Sequence, residues 1–254
     1  MDRGYFFEKY GIDEEKFSVL KITWDELERI YEDYSGKQAA YDEAARFIAE
    51  RLNKEKIVHS IKYRVKDKEH VIEKIIRKMS QAPGLEVTLG NYSAVITDLV
   101  GVRVLHLFKE NWFEIHNYLV ENWEFSAAPK ANYKKGDPVA LLDSYTQHGC
   151  DLNEHPSGYR SIHYHLKLRM KRRDYLAEVQ VRTLFEEAWS EIDHHFRYGV
   201  NKDEAQAEPY LGVLNNITSN ADALASYMNQ MKAVENLDSR LRVRDIYRKV
   251  NMGE

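Results

Sequence analysis

Two consecutive stretches of strict alternation most constrain how this chain can fold. Between Ser161 and Leu168, Ser161, His163, His165 and Lys167 fall on one side, and Ile162, Tyr164, Leu166 and Leu168 on the other. A period of two residues is that of a β-strand with unlike faces. Between Tyr175 and Arg182 the pattern returns: Ala177, Val179 and Val181 point one way, Glu178, Gln180 and Arg182 the other. Arg172-Arg173-Asp174 lies between the two, short enough to predict a hairpin. Upstream, Val100, Val102 and Val104 alternate with Gly101, Arg103 and Leu105 in a β-rich run from Ile96 to Phe108, and residues 57–65 have the β-branched content of a short strand.

The rest of the chain has helical spacing. Thr23 and Glu26 fit a capping box ahead of Leu27, Ile30 and Tyr31. Ala40, Ala44, Phe47, Ile48 and Leu52 recur at three and four, and Val71, Ile72, Ile75, Ile76 and Met79 predict a helix over 70–79. Trp112–Val120 and Leu184–Phe196 also read as helices. After a polar break near residues 201–208, residues 209–247 are helical again, with Tyr210, Leu211, Leu214 and Ile217 spaced for a packed face. Pro83-Gly84 punctuates the chain. Residues 126–158, with Pro129, Gly136-Asp137-Pro138, Gly149 and Pro156-Ser157-Gly158, read as one long functional loop.

Composition narrows the function classes. With 254 residues, 43% hydrophobic and 31% charged, the chain has the make-up of a soluble globular protein. A net charge of −4 provides no global field to recruit nucleic acid. Local basic runs exist: seven Lys/Arg against three acids over 62–78, and six with no acid over 157–173. The single Cys150 excludes an intrachain disulfide, and no Cys/His cluster has zinc-ligand spacing. No secretory h-region opens the chain and no run approaches ~18 apolar residues. A reducing cytoplasm is the simplest expected home.

Three islands carry candidate chemistry. Asp98 at the mouth of the Val100–Val104 strand and Glu178 in mid-strand could share a Mg²⁺ bridging nucleotide phosphates; the alternative is that each pairs with an arginine such as Arg103 or Arg182. Arg64 and Lys66 share one face of an extended segment, and Lys74 and Arg77 one face of the following helix, so four cations could converge on a triphosphate. The alternative is a solvated charged helix, partly neutralised by Asp67 and Glu73. In the Pro156–His163 turn, Tyr159 could stack on a purine beside the Arg160 guanidinium, or simply pack on the core. His163 shares strand parity with Ser161 and could reach a phosphate, or be structural. His194 and His195, adjacent on a helix, point about 100° apart and do not suit a shared metal.

In this order the islands resemble the synthetase domain of the RelA/SpoT family, which makes the alarmones ppGpp and pppGpp. The resemblance covers roughly residues 60–198. It rests on Arg64-x-Lys66, on Ile96-Thr97-Asp98-Leu99-Val100-Gly101-Val102-Arg103, on Gly158-Tyr159-Arg160-Ser161-Ile162-His163 and on Glu178-Val179-Gln180-Val181-Arg182-Thr183. The helix Ala188-Trp189-Ser190-Glu191-Ile192-Asp193-His194 is similar to one in small, single-domain members. The resemblance implies an α/β (α+β) fold: a nucleotidyltransferase-like mixed sheet flanked by helices, with a helical region over 1–57, the synthetase domain over 58–200 and a helical extension over 203–254.

It also implies an enzyme that transfers pyrophosphate from ATP to the 3′-hydroxyl of GDP or GTP with Mg²⁺. Asp98 would hold the metal, and Glu178 would assist it or act as general base. Arg64 would lie near the adenine, and Lys66, Lys74 and Arg77 would hold the phosphates of ATP. Tyr159 would stack on the acceptor guanine, with His163, Gln180 and Arg182 on the acceptor side. Two departures are visible: Ser157 stands where many members have Asn, and 126–155 does not align. With no His-Asp dipeptide and about 60 residues ahead of the match, no alarmone hydrolase activity is expected.

Rival expectations keep the fold. Toxin-type relatives pyrophosphorylate tRNA 3′ ends or adenosine nucleotides, which would bring tRNA or an antitoxin as partner, and the basic stretch 167–173 could meet RNA phosphates. A non-catalytic nucleotide-binding module is the third reading, disfavoured by the presence of both carboxylates. Homo-oligomerisation through the terminal helices is also expected.

Overall fold

The computed structural model describes residues 1–198 and 204–252. Among these, seven strands form one sheet: β1 (Ser60–Val65), β2 (Val100–His106), β3 (Glu124–Phe125), β4 (Lys130–Tyr133), β5 (Asp151–Glu154), β6 (Ser161–Met170) and β7 (Arg173–Thr183). Their order is β1-β2-β7-β6-β4-β5, with β3 also paired to β6. The sheet is mixed: β2–β7 and β4–β5 are parallel, the other pairs antiparallel. The expected mixed sheet flanked by helices is present.

Register converts the alternation into two faces. Val100 lies opposite Ala177, Val102 opposite Val179 and Val104 opposite Val181; Leu166, Tyr164 and Ile162 extend these rows across β6. All nine side chains are buried. Since pleating alternates side chains, the rows between them point to the other face. Those rows are Arg64–Gly101–Glu178–His165 and Lys62–Arg103–Gln180–His163, and they build the site described below.

The helices are α1 (Arg3–Tyr10), α2 (Glu14–Ser18), α3 (Trp24–Leu52), α4 (Lys68–Gln81), α5 (Tyr92–Val95), α6 (Trp112–Asn122), α7 (Val139–Gln147), α8 (Leu184–Tyr198) and α9 (Glu204–Met252). Thr23 caps α3 by accepting from Glu26 N at 3.2 Å, as its spacing predicts. Ala44, Ile48 and Leu52 of α3, and all five apolar positions expected for α4, are buried in one core with the sheet's apolar face. Thr183 and Glu186 form a reciprocal capping box at the start of α8: Glu186 N donates to Thr183 Oγ1 at 3.1 Å, and Thr183 N to Glu186 Oε2 at 2.9 Å.

Three expectations are corrected. Residues 126–158 are not one loop; they hold β4, α7 and β5. These elements are short, and α7 buries no residue, so it lacks the periodic apolar signature that marks a helix in sequence. The polar break predicted near 201–208 falls partly on residues outside the described ones, and α9 already begins at Glu204. Of the face expected on α9, Leu211 is buried, Leu214 is half-buried, and Tyr210 and Ile217 are exposed. The inner side of α9 is instead polar: Asn215, Asp222 and Ser226 are buried against the body.

The β6–β7 turn is tighter than predicted. Met170 pairs with Arg173, leaving Lys171-Arg172 as a two-residue loop. Both have positive φ (48° and 64°), the geometry of a type I′ hairpin, which favours Asn-Gly. Replacing the pair with Asn-Gly should therefore raise stability by about 1 kcal/mol, measured by urea unfolding. The surface pair between Lys171 and Glu43, lost in the exchange, contributes little.

Candidate active site

Three consecutive polar-face residues of β7, one of β6 and one of the preceding turn close a ring of hydrogen bonds. Arg182 Nη1 donates to Tyr159 Oη at 3.3 Å. Tyr159 Oη lies 2.9 Å from His163 Nε2, and His163 Nδ1 lies 3.2 Å from Glu178 Oε1. Gln180 Nε2 donates to Glu178 Oε2 at 2.7 Å, and Arg182 Nη2 donates to Gln180 Oε1 at 3.3 Å. A carboxylate only accepts, so His163 presents Nδ1–H to Glu178 and accepts the tyrosine hydroxyl at Nε2. Every orientation in the ring is thereby set. Burial alone would push the Glu178 carboxyl up, but the His163 and Gln180 bonds outweigh it and hold the group at about 2.

Arg182 is 2% exposed. Its charge is met by Glu187 of α8 at 2.8 Å, and Ser190 Oγ accepts from it at 2.8 Å. The guanidinium also sits 5.5 Å from the centroid of the Tyr159 ring. Glu187 additionally pairs with Lys62 at 3.1 Å and Arg103 at 3.2 Å, and Arg103 reaches Glu191 one turn on. Among the described residues, neither Arg103 nor Arg182 pairs with the carboxylates Asp98 or Glu178; both turn to Glu187 instead. Glu187 has no motif of its own in the sequence. Its only signal is its place in the first turn of α8, four residues before Glu191.

Beside the ring, Asp98 is held by two ammonium groups: Lys66 Nζ at 2.9 Å and Lys74 Nζ at 2.6 Å, both on Oδ2. Burial pushes the Asp98 carboxyl up, and the two lysines more than offset it, leaving it below the ordinary range. Burial likewise lowers Lys66, with Asp98 opposing. The other oxygen, Asp98 Oδ1, is buried with no hydrogen-bond partner among the described residues. Asp98 and Glu178 line a single cavity of about 210 Å³, whose walls include Lys62, Arg64, Arg103 and Gln180. Gly101, between Arg64 and Glu178 in the register, leaves its floor open. Two carboxylates, one with an unsatisfied oxygen, suit a hard divalent cation with oxygen ligands.

The structure thus brings together Asp98, Glu178, Lys66, Lys74, Arg64 and Gln180, with His163, Tyr159 and Arg182 behind them. Arg77 is placed apart: it is exposed on α4 and pairs with Glu73 at 3.3 Å. Arg160 does not present its guanidinium to the cavity. It binds both oxygens of Asp137 through three bonds of 2.7, 2.8 and 3.1 Å, and Asn215 at 3.0 Å.

Asn215 shows how α9 reaches the site. Its Nδ2 donates to Gly158 O at 2.9 Å. Gly158 has φ 78°, and a Cβ there would lie 2.9 Å from Lys134 Cδ and 3.2 Å from Asn215 Oδ1. Glycine is required both by the left-handed backbone and by this close approach. Asp222, buried lower on α9, accepts from Thr183 Oγ1 at 2.7 Å. Burial and the neighbouring Glu186 raise its carboxyl to about 7.

A family model described as a region found in RelA / SpoT proteins matches residues 63–203, more than half of the chain. The chain belongs to the RelA/SpoT family. It is 25% identical over 202 residues to the GTP pyrophosphokinase YwaC of Bacillus subtilis (strain 168), covering 72% of this chain and 84% of that protein. The crystal structure of small alarmone synthetase 1 from Bacillus subtilis bound to its product pppGpp superposes with a TM-score of 0.61 at 18% identity, over 80% of this chain and 99% of that one. The same synthetase bound to AMPCPP gives 0.59 at 18% identity, over 80% and 98%. At such identities the likeness establishes a shared fold. No helix among the described residues is long and apolar enough to cross a membrane.

Two outcomes follow for the site of this RelA/SpoT-family chain. The Glu178 carboxyl is depressed from 4.5 to about 2, so its bonds contribute stability above about pH 4.5, and that contribution is lost as pH falls toward 2. The stability gap between wild type and Glu178→Gln, measured by urea unfolding, should narrow over that window and stay constant above it. Asn215→Ala leaves the Gly158 carbonyl and part of the Arg160 guanidinium unsatisfied, and should cost about 1–3 kcal/mol in the same measurement.

Proposed function

We propose that this RelA/SpoT-family protein is a pyrophosphokinase that moves the β,γ-diphosphate of ATP to the 3′-hydroxyl of GDP or GTP, making ppGpp or pppGpp. The observation that carries the reading is the cavity of about 210 Å³ lined by both Asp98, with its unpartnered Oδ1, and the ionised Glu178, together with Arg64, Lys62 and Arg103. The family membership and the YwaC relative support it, as does the fold shared with a synthetase solved with pppGpp and with AMPCPP.

In this reading Asp98 and Glu178 would hold Mg²⁺, which when bound would neutralise phosphate oxygens and the charge that develops on them. Lys66 and Lys74 bind donor phosphates in exchange for part of their hold on Asp98, and Arg64 lies against the adenine. Tyr159, backed by the Arg182 guanidinium, presents its ring to the acceptor guanine, while His163 and Gln180 fix the carboxylate that meets the acceptor ribose. The acceptor 3′-oxygen bonds to the β-phosphorus, the bond from that phosphorus to the α–β bridging oxygen breaks, and AMP leaves. The hydroxyl proton passes through Glu178 to solvent. A carboxyl held at about 2 is a weak base, so the proton departs late, as suits a loose phosphoryl-transfer transition state. The site then acts mainly by positioning and charge.

The experiment is incubation of the protein with Mg²⁺, labelled ATP and GDP or GTP, with tRNA and adenosine nucleotides as parallel acceptors. Labelled guanosine product is expected. Labelling of tRNA or an adenosine nucleotide instead would transfer the reading to the toxin-type acceptor. Asp98→Asn and Glu178→Gln should each lower kcat by at least about 100-fold, whereas Tyr159→Ala should chiefly raise the KM for the acceptor.

A further inference from the structure

Between residues 209 and 231, helix α9 carries one charged side chain, Asp222, and turns it inward, where it is fully buried. A buried carboxylate is costly unless it is paired with a cation or discharged. Its Oδ2 accepts from Thr183 Oγ1 at 2.7 Å, and its Oδ1 is buried with no hydrogen-bond partner among the described residues. A second carboxylate meets the same threonine: Glu186 Oε2 accepts from the Thr183 backbone N–H at 2.9 Å, and Glu186 N donates to Thr183 Oγ1 at 3.1 Å. Thr183 thus ties the end of β7 to the first turn of α8 and the middle of α9.

The charges around the pair do not balance. Lys109, in the turn Lys109–Asn111, and Arg160 are the cations that oppose the Asp222 charge, and Arg160 is already bound to Asp137. Arg182, which also faces Glu186, is committed to Glu187. Lys109 and Arg160 therefore stand against three carboxylates, Asp137, Glu186 and Asp222. The other titratable neighbours add no cation: burial holds His106 neutral, at about 4, and pushes the Tyr145 hydroxyl well above its ordinary range. Glu110 is exposed and accepts from Asn229 Nδ2 at 2.9 Å. The cavity bounded by Glu186, Lys109 and Arg160 is about 20 Å³, room for one water but not for a hydrated cation. A proton supplies the missing charge. Burial and Glu186 raise Asp222 to about 7, and burial raises Glu186 as well.

The docking of α9 depends on this contact. Among the described residues Leu211 is its one buried apolar side chain. Its other attachments are polar: Trp189 Nε1 donates to Leu211 O at 3.0 Å, Asn215 Nδ2 to Gly158 O at 2.9 Å, and Lys109 N to Ser226 Oγ at 3.0 Å. Asp222 lies between Asn215 and Ser226 on that inner side. We propose that Glu186 and Asp222 share one proton, and that this proton clasps α9 to the body and so holds the turn that carries Tyr159. When the proton leaves to solvent, two like charges meet across the α8–α9 contact, α9 loosens, and Asn215 releases the Gly158 carbonyl. Only the consequence for an acceptor nucleotide rests on the function proposed above; the clasp and its test use no activity.

Docked Asp222 holds its proton more tightly than a free carboxyl at 3.8. Docking is therefore strongest below about pH 4, weakens as pH rises, and levels off above about 7. The test is hydrogen exchange of the full chain, read amide by amide as protection factors from pH 5 to 9, with Asp222→Asn and Glu186→Gln beside it. Both substitutions keep an oxygen for Thr183. The Gly158 amide donates to His155 O at 2.9 Å, so its protection reports the turn. In wild type, protection of the amides over 215–226 and of Gly158 should fall about tenfold per pH unit up to about 7 and then level off. Asp222→Asn should show no such fall. In Glu186→Gln, where Asp222 loses a charge that raises it, the fall should end at lower pH. Wild-type protection indifferent to pH would overturn the inference. So would the same fall in Asp222→Asn, or a fall in α9 that leaves Gly158 protected.

Discussion

The buried contact between Arg182 and Glu187 is the constraint on which the site depends. A guanidinium 2% exposed cannot remain charged without close partners, and removing one member of such a pair costs about 3–5 kcal/mol. Glu187 meets that demand from the first turn of α8, at 2.8 Å. With the charge fixed, the remaining N–H groups of Arg182 have set directions: one to Tyr159, one to Gln180, one to Ser190. Tyr159 then meets Nε2 of His163, and His163 with Gln180 engages both oxygens of Glu178. The orientation of one carboxylate at the cavity is thus traceable through four neighbours to a single ion pair. Each bond in this chain limits the orientation of the next group, although Arg182 Nε itself is buried with no hydrogen-bond partner among the described residues.

Asp98 solves a different problem. It carries two lysines on one oxygen and nothing on the other. The three groups hold one surplus positive charge near a mostly buried carboxylate, which favours an incoming polyphosphate while leaving an acceptor lone pair for a cation. In the proposed reaction, charge developed during phosphoryl transfer would be met by groups placed in advance. The turn that carries Tyr159 is held from the opposite side, where Asn215 binds the Gly158 carbonyl and Arg160 is locked onto Asp137. Helix α9 thus braces the turn that carries Tyr159.

Much of this was legible in the residues. Alternation in 161–168 and 175–182 located the central hairpin and placed Glu178, Gln180 and Arg182 on one face, because a strand has no other way to distribute side chains. Helices α3 and α4 were legible because their apolar positions recur at three and four. The elements missed were β4, α7 and β5, whose four to nine residues carry too little periodicity to declare themselves. The spacing of cations over 64–77 predicts one cluster, but Arg77 turns outward to Glu73. Sequence spacing places side chains on a helix face; it does not say which end of that face meets a neighbouring strand.

What the sequence determined by itself is the set of local alternatives: which residues share a face, where a helix must start, and which turn requires glycine. Those follow from backbone geometry within a few residues. What only the tertiary structure decided is pairing between distant parts. Lys66 and Lys74 chose Asp98, Arg182 chose Glu187, Arg160 chose Asp137, and Asn215 closed on Gly158 across 57 positions of chain. Sheet order put β7 between β2 and β6, so that Asp98 and Glu178 came to face one cavity. Strand order, and with it the partner of each buried charge, is settled by how the whole apolar face packs, and no short window of sequence contains that information.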